Sequence, residues 1–135
     1  MTNDQFSMTN RASAQPHHRA FDLAERTAVF GEEIIHFCRG IRRDAVISPL
    51  IRQLVRSVTS IGANYVEADE AGSKKEFTYR ISVCRREARE TQYWLRMIVA
   101  AKPELKVQAR EIWQVARELG LILAAIHRKA AIPAK

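Results

Sequence analysis

The sequence predicts an all-α protein, an antiparallel up-down left-handed four-helix bundle, and three observations carry that reading. Apolar residues recur at steps of three and four in four separate segments, the repeat that lines them along one helical face. No segment alternates apolar and polar residues for long enough to make a strand. The breaks between segments are short, so each helix runs antiparallel to the next, and the seven-residue spacing of the stripes favours shallow, left-handed crossings.

The first helix is expected over about 22–42. Its stripe is Leu23, Thr27, Phe30, Ile34, Phe37 and Ile41, with Asp22 near its start and Gly40, Arg42 and Arg43 suiting its end. The second is expected over 49–69, opening at Ser48-Pro49, a capping side chain followed by proline at the first helical position. Ile51, Leu54, Val58, Ile61, Tyr65 and Ala68 form its stripe.

The break from Asp69 to Gly72 leads into Ser73-Lys74-Lys75-Glu76, where Ser73 and Glu76 have the spacing of a capping box. A third helix follows over 74–101, with Phe77, Ile81, Cys84, Ala88, Thr91, Leu95 and Ile98 inward, and Pro103 beyond its end. The fourth, over 104–129, carries Leu105, Ala109, Ile112, Ala116, Leu119, Leu123 and Ile126, with Pro133 past its end.

At 135 residues, 47% hydrophobic and 27% charged, the chain has material for one core and one domain, spanning 21–130. Residues 1–20 are polar, rich in Asn, Thr, Ser, Gln and His, and are expected to form a disordered tail, with 131–135 a frayed C-terminus. Met1-Thr2-Asn3 recurs as Met8-Thr9-Asn10, so translation could begin at Met8. The N-terminus lacks an apolar signal region, and no apolar run approaches the about 20 residues that cross a bilayer. A cytoplasmic protein with no membrane partner is expected. Cys38 and Cys84 fall on the stripes of different helices and read as small core residues in a reducing compartment.

The formal charge of +7, from 22 Lys and Arg against 15 Asp and Glu, favours an anionic partner. Arg85, Arg89 and Arg96 line up along one flank of the third helix with Arg86 beside them, and like charges on adjacent turns repel unless an anion, a carboxylate or solvent relieves them. The bland reading is a solvated face with salt bridges to Glu87 or Glu90. The functional reading is a phosphate-contacting ridge, since guanidinium forks suit phosphate oxygens and nearby tyrosines can stack on unpaired bases. The opposite flank holds Val83, Trp94 and Met97, with Tyr79 and Tyr93 further round, and the fourth helix has a similar surplus in Val107, Val115, Leu121 and Ile122. More apolar surface than one bundle uses points to a homo-oligomer.

A four-helix bundle with inward carboxylates raises the question of a di-metal site, which needs Glu-x-x-His pairs on two helices. Only Glu33-Ile34-Ile35-His36 has that spacing, so no metal and no cofactor is expected. Ser57, Ser60, Asn64 and Glu67, with Glu87 and Glu90 opposite, read instead as a structural polar network that fixes helix register. There is no Gly-rich phosphate loop, no nucleophile elbow and no zinc-spaced cysteine pair, so no catalytic residue is assigned and the protein reads as no enzyme.

Ile51-Arg52-Gln53-Leu54-Val55-Arg56-Ser57, then Ser60-Ile61-Gly62-Ala63-Asn64-Tyr65-Val66-Glu67-Ala68, resembles the "four helix bundle protein" family, which includes proteins encoded in intervening sequences of 23S rRNA genes. Ser73-Lys74-Lys75-Glu76-Phe77 and Glu87-Ala88-Arg89-Glu90-Thr91-Gln92-Tyr93-Trp94-Leu95 continue the likeness, which covers about Phe21 to Ile126. The resemblance implies a left-handed up-down bundle assembling into a ring, typically a homopentamer, in a bacterial cytoplasm. A related group, the accessory variability protein of diversity-generating retroelements, is similar in being a basic pentamer that binds RNA and a reverse transcriptase. The expectation is a non-enzymatic oligomer that binds nucleic acid, RNA favoured over DNA, through Arg85, Arg89 and Arg96 with Arg86, Lys74 and Lys75 in support. The alternative is an interaction scaffold that docks an acidic protein partner and has no nucleic-acid role.

Overall fold

Helix α1 (Leu23–Arg39) starts where Asp22 lets its Oδ1 accept the Glu25 amide at 3.1 Å, satisfying one of the donors that a helix start leaves without a partner. These are the first residues that the computed structural model describes, which cover 22–132. The tail over 1–20 and the last three residues lie outside them. α1 ends at Arg39, three residues before the expected 42. There the Gly40 amide turns to Phe37 O at 3.2 Å and the Ile41 amide to Cys38 O at 3.1 Å, shorter-range bonds that close the last turn.

α2 (Ile47–Asp69) begins two residues earlier than the sequence suggests, and Ser48 is not its cap. The capping position falls on Val46, and Asp44 two residues before it supplies the acceptor, its Oδ1 taking the amides of Val46 at 2.9 Å and Ile47 at 2.8 Å. The carboxylate's charge is favoured by the positive end of the helix and strengthens both bonds, which a neutral hydroxyl does not match. The Ile47 amide, ahead of the Val46 amide and the ammonium of Lys102, holds the Asp44 carboxyl below its ordinary range. Pro49 then sits within the first turn, where its missing N–H has no helical partner to lose.

α3 (Lys74–Ala101) opens on the expected capping motif, with one shift. The Glu76 amide donates to Ser73 Oγ at 3.1 Å, and Glu76 Oε1 accepts the amide of Gly72, not of Ser73, at 3.2 Å. After Lys102 the chain makes a 3-10 turn, Pro103–Leu105, and enters α4 (Lys106–Ala131).

The contacts run in opposite chain directions at each seam. Between α2 and α3, Arg56 meets Glu87, Ser57 meets Thr91, Ile61 meets Cys84 and Asn64 meets Arg80. Between α1 and α2, Thr27 stands against Gly62, and between α3 and α4, Ala88 stands against Gly120. Arg26 of α1 reaches Glu118 of α4 at 3.3 Å. The four helices therefore pack as an up-down bundle. Among the described residues there is no strand, and no helix is long and apolar enough to cross a membrane.

Ile34, Ile47, Leu54, Ile61, Ile81, Ile98, Leu119 and Leu123 are fully buried, one or more from each stripe. Leu105 of the 3-10 turn and Ile112 of α4 are only half-buried, beside a cleft toward α1 of about 520 Å³ that is also lined by Phe37, Ile41 and Val115. Thr27 sits in the core without penalty: its hydroxyl donates to Leu23 O at 2.7 Å, within its own helix.

Both cysteines are buried free thiols, and the Cys84 thiol donates to Ile61 O at 3.4 Å. Burial pushes the Cys38 thiol up to about 11 and the Cys84 thiol up to about 12. Since only the thiolate reacts, neither is expected to label with an aromatic disulfide reagent at pH 8 in folded protein, while both label once urea unfolds it. Full labelling under native conditions would contradict the burial. A second expectation concerns Gly120, where an added Cβ would lie 3.7 Å from the Ala88 Cβ, an ordinary contact. Glycine in a helix interior costs about 1 kcal/mol relative to alanine, so Gly120→Ala is expected to stabilise the fold by about that amount in a urea melt. A loss of stability would mean that α3 and α4 lie closer than described.

Candidate nucleic-acid interface

The position of every side chain on α3 follows from its two packed seams. Toward α2, the buried Ser57 and Thr91 hydroxyls lie 2.9 Å apart, and Thr91 donates to Glu87 O at 2.9 Å. One turn outward, Arg56 of α2 spans both nearby carboxylates: its Nη1 donates to Glu87 at 3.3 Å, its Nη2 to Glu90, and its Nε to Gln53 Oε1 at 3.0 Å. Further along, Asn64 donates to Ser60 O at 2.9 Å and accepts from Arg80 Nη1 at 3.0 Å. The polar line read from the sequence is thus three local links. Glu67 is in none of them: it lies exposed in the last turn of α2 with no side-chain hydrogen bond among the described residues. Arg56, which ties the line to α3, was not singled out in the sequence.

Burial alone would lower the Arg56 pKa, but its hydrogen bond to Glu90 and the charges of Glu87 and Glu90 outweigh it and raise it. The consequence falls on the other arginines. Among the described residues, Arg85, Arg86, Arg89 and Arg96 make no ion pair with any carboxylate. Arg85, Arg86 and Arg89 border a surface hollow of about 430 Å³ together with Ser82, Glu90 and Tyr93.

This corrects the division of α3 into a basic flank and an opposite apolar one. Tyr93, 52% exposed, stands in the same hollow as the three arginines. Tyr79, 57% exposed, shares a second hollow with Lys74, Lys75 and Ser82, next along the helix. Helical spacing explains it, since Tyr79, Arg86 and Tyr93 are seven residues apart and share a face. Val83 is covered within the chain at 8% exposure, and Trp94 and Met97 are half-buried. The Trp94 ring meets Tyr93 edge to face at 5.0 Å, and its buried Nε1 has no hydrogen-bond partner among the described residues. Of the surplus on α4, Val107 and Leu121 are exposed while Val115 and Ile122 pack on the core.

Arg96 does not join the hollow of the other arginines. About 10 Å further along the helix, it lines a groove between α3 and α4 with Lys106, Arg110 and Trp113. Those three α4 residues escaped the sequence reading, although their steps of four and three place them on one face. No group of three or more His, Cys, Asp and Glu side chains is placed to share an ion among the described residues.

A family model described as 23S rRNA-intervening sequence protein matches residues 19–125, most of the chain and all but the end of α4. The chain belongs to that family. A crystal structure from Bacteroides thetaiotaomicron, described as a protein with unknown function from the S23 ribosomal protein family, is similar. It is 26% identical with a TM-score of 0.68, over 77% of this chain and 96% of that chain. A search of curated proteins finds no match. As a 23S rRNA-intervening sequence protein the chain has a relative with the same helical fold and no assigned activity, so its function has to be argued from its own surface.

The Arg56 bridge is the contact that shapes this surface. Its Glu87 partner is 12% exposed and its Glu90 partner 42%, so Glu87 gains more from the pairing. Arg56→Gln is expected to cost about 1 kcal/mol in a urea melt and Glu90→Gln less than half of that, both losses shrinking in high salt. An Arg56→Gln protein as stable as its parent would remove the bridge from the account.

Proposed function

We propose that the protein is a non-enzymatic, oligomeric protein of the bacterial cytoplasm that binds nucleic acid, RNA in preference, through the outer surface of α3. The observation that carries this reading is the hollow where Arg85, Arg86 and Arg89 stand beside Tyr93 while Arg56 engages both Glu87 and Glu90. Guanidinium groups without carboxylate partners offer paired donors that match phosphate oxygens. An exposed tyrosine gives an unpaired base a flat face to stack on. Lys74 and Lys75 repeat the combination beside Tyr79. The charge of +7 draws polyanions from a distance. Membership of a family described by an intervening sequence of 23S rRNA favours RNA over DNA.

With Tyr79 and Tyr93 facing the ligand, the surfaces assigned to association between copies are the half-buried Trp94 and Met97 on α3 and the exposed Val107 and Leu121 on α4. The pentamer that the family resemblance implies is the assembly proposed. A ring would set several α3 faces side by side, raising avidity for a long strand without any new contact.

Fluorescence anisotropy with a labelled single-stranded RNA at low salt tests the reading. Replacing Arg85, Arg86 and Arg89 together by Gln is expected to weaken binding by at least about tenfold, while light scattering still gives five chain masses. Unchanged affinity would sink the α3 assignment. Absence of binding to any RNA or duplex DNA, with retention of an acidic protein instead, would favour the docking-scaffold alternative.

A further inference from the structure

From the groove between the C-terminal part of α3 and the start of α4, we infer a second binding site, one that takes a single unstacked nucleotide. The groove has a volume of about 260 Å³ and an apolar floor that includes Val99 and Ala109, with Trp113 as its aromatic wall. Arg96, Lys106 and Arg110 surround that floor, all three exposed, and none of them makes an ion pair among the described residues. The nearest acid on this stretch of α4, Glu111, lines the cleft toward α1 instead and so lies on the other side of the helix.

Each part of a nucleotide has a counterpart here. Three cations around a small opening fit a phosphate, for which any one of them alone would be a weak point charge. An indole beside aliphatic side chains fits the π-face of a base, a contact that tolerates any sequence. Gln114, also on the groove wall, can both donate to and accept from a base edge. The volume is below the roughly 300–1,000 Å³ of pockets that enclose a whole ligand. It therefore suits one ring inserted from a strand, with sugar and phosphate left at the rim.

This site is distinct from the hollow of Arg85, Arg86 and Arg89, and lies about 10 Å beyond Arg89 on the same helix. Its ligand class rests on the single-strand reading proposed above. In that reading the α3 hollow holds the phosphate backbone and the groove receives a base splayed from the strand.

The test uses adenosine 5′-monophosphate as probe and the two indole N–H resonances of the full chain in a ¹H–¹⁵N spectrum, the Trp113 signal being the one lost in Trp113→Phe. Saturable movement of the Trp113 signal at millimolar nucleotide is expected, with Trp94 unmoved and inorganic phosphate alone producing no such change. Arg110→Gln and Lys106→Gln, both at exposed positions, are each expected to weaken binding about tenfold, the usual loss for one charge-assisted hydrogen bond. A Trp113 signal that adenosine 5′-monophosphate leaves in place overturns the inference, as does a glutamate-rich peptide carrying phenylalanine that saturates the groove where the nucleotide does not. The two readings fail separately. RNA binding that persists while Trp113 stays unmoved removes the groove site and spares the α3 surface, whereas nucleotide binding at Trp113 without binding of any longer RNA does the reverse.

Discussion

Arg56 reaches from α2 onto α3 and takes both carboxylates that could have neutralised the α3 arginines. α3 carries only three acids, and the third, Glu76, is occupied at the helix start by the Gly72 amide. Each acid on α3 thus has another partner, and Arg85, Arg86, Arg89 and Arg96 make no ion pair among the described residues. With five arginines and two lysines against three glutamates, α3 is basic by its own composition. Packing of one cation from the neighbouring helix onto Glu87 and Glu90 leaves that excess without carboxylate partners on α3.

The same seam gives that surface its rigidity. Ser57 and Thr91 join α2 to α3 through hydroxyls that are fully buried, and Cys84 adds its link to the Ile61 carbonyl. A slide along this seam would break the Ser57–Thr91 and Cys84–Ile61 contacts, while each hydroxyl would keep a carbonyl of its own helix, Leu54 O or Glu87 O. On the far side Ala88 and Gly120 bring α3 close to α4. The arginines and tyrosines therefore project from a helix whose rotation is fixed by contacts on both flanks. A surface held in this way can meet a strand of phosphates without first ordering itself, which lowers the entropic cost of binding.

Much of the fold was legible because it depends on periodicity. The α1 stripe from Leu23 to Ile41 is buried throughout, and Ile81, Cys84, Ala88, Thr91, Leu95 and Ile98 point inward from α3 as their spacing requires. The likeness carried by the stretches from Ile51 to Leu95 agrees with the family match over 19–125. Local chemistry was harder to read: Ser48-Pro49 has the form of a helix start, yet the charged Asp44 carboxylate, four residues before Ser48, takes the first amides and the helix begins at Ile47. The site was legible only in part. Alignment of Arg85, Arg86 and Arg89 follows from one helix, but the engagement of Glu87 and Glu90 by Arg56, and the meeting of Arg96 with Lys106, Arg110 and Trp113, depend on how separate helices face each other. Tyr93 was set with the wrong flank because an apolar ring was grouped with Trp94, while its spacing from Arg86 places it among the arginines.

The central claim is that unneutralised arginines on α3 meet phosphates, and the salt dependence of RNA binding by the unaltered protein tests it most directly. Contact of three arginines with a single strand gives a linear fall of log K against log salt concentration with a slope of about −2, steeper if further cations engage. A slope of that size is the result expected. Binding that is indifferent to salt would contradict the account, because no phosphate contact could then underlie it.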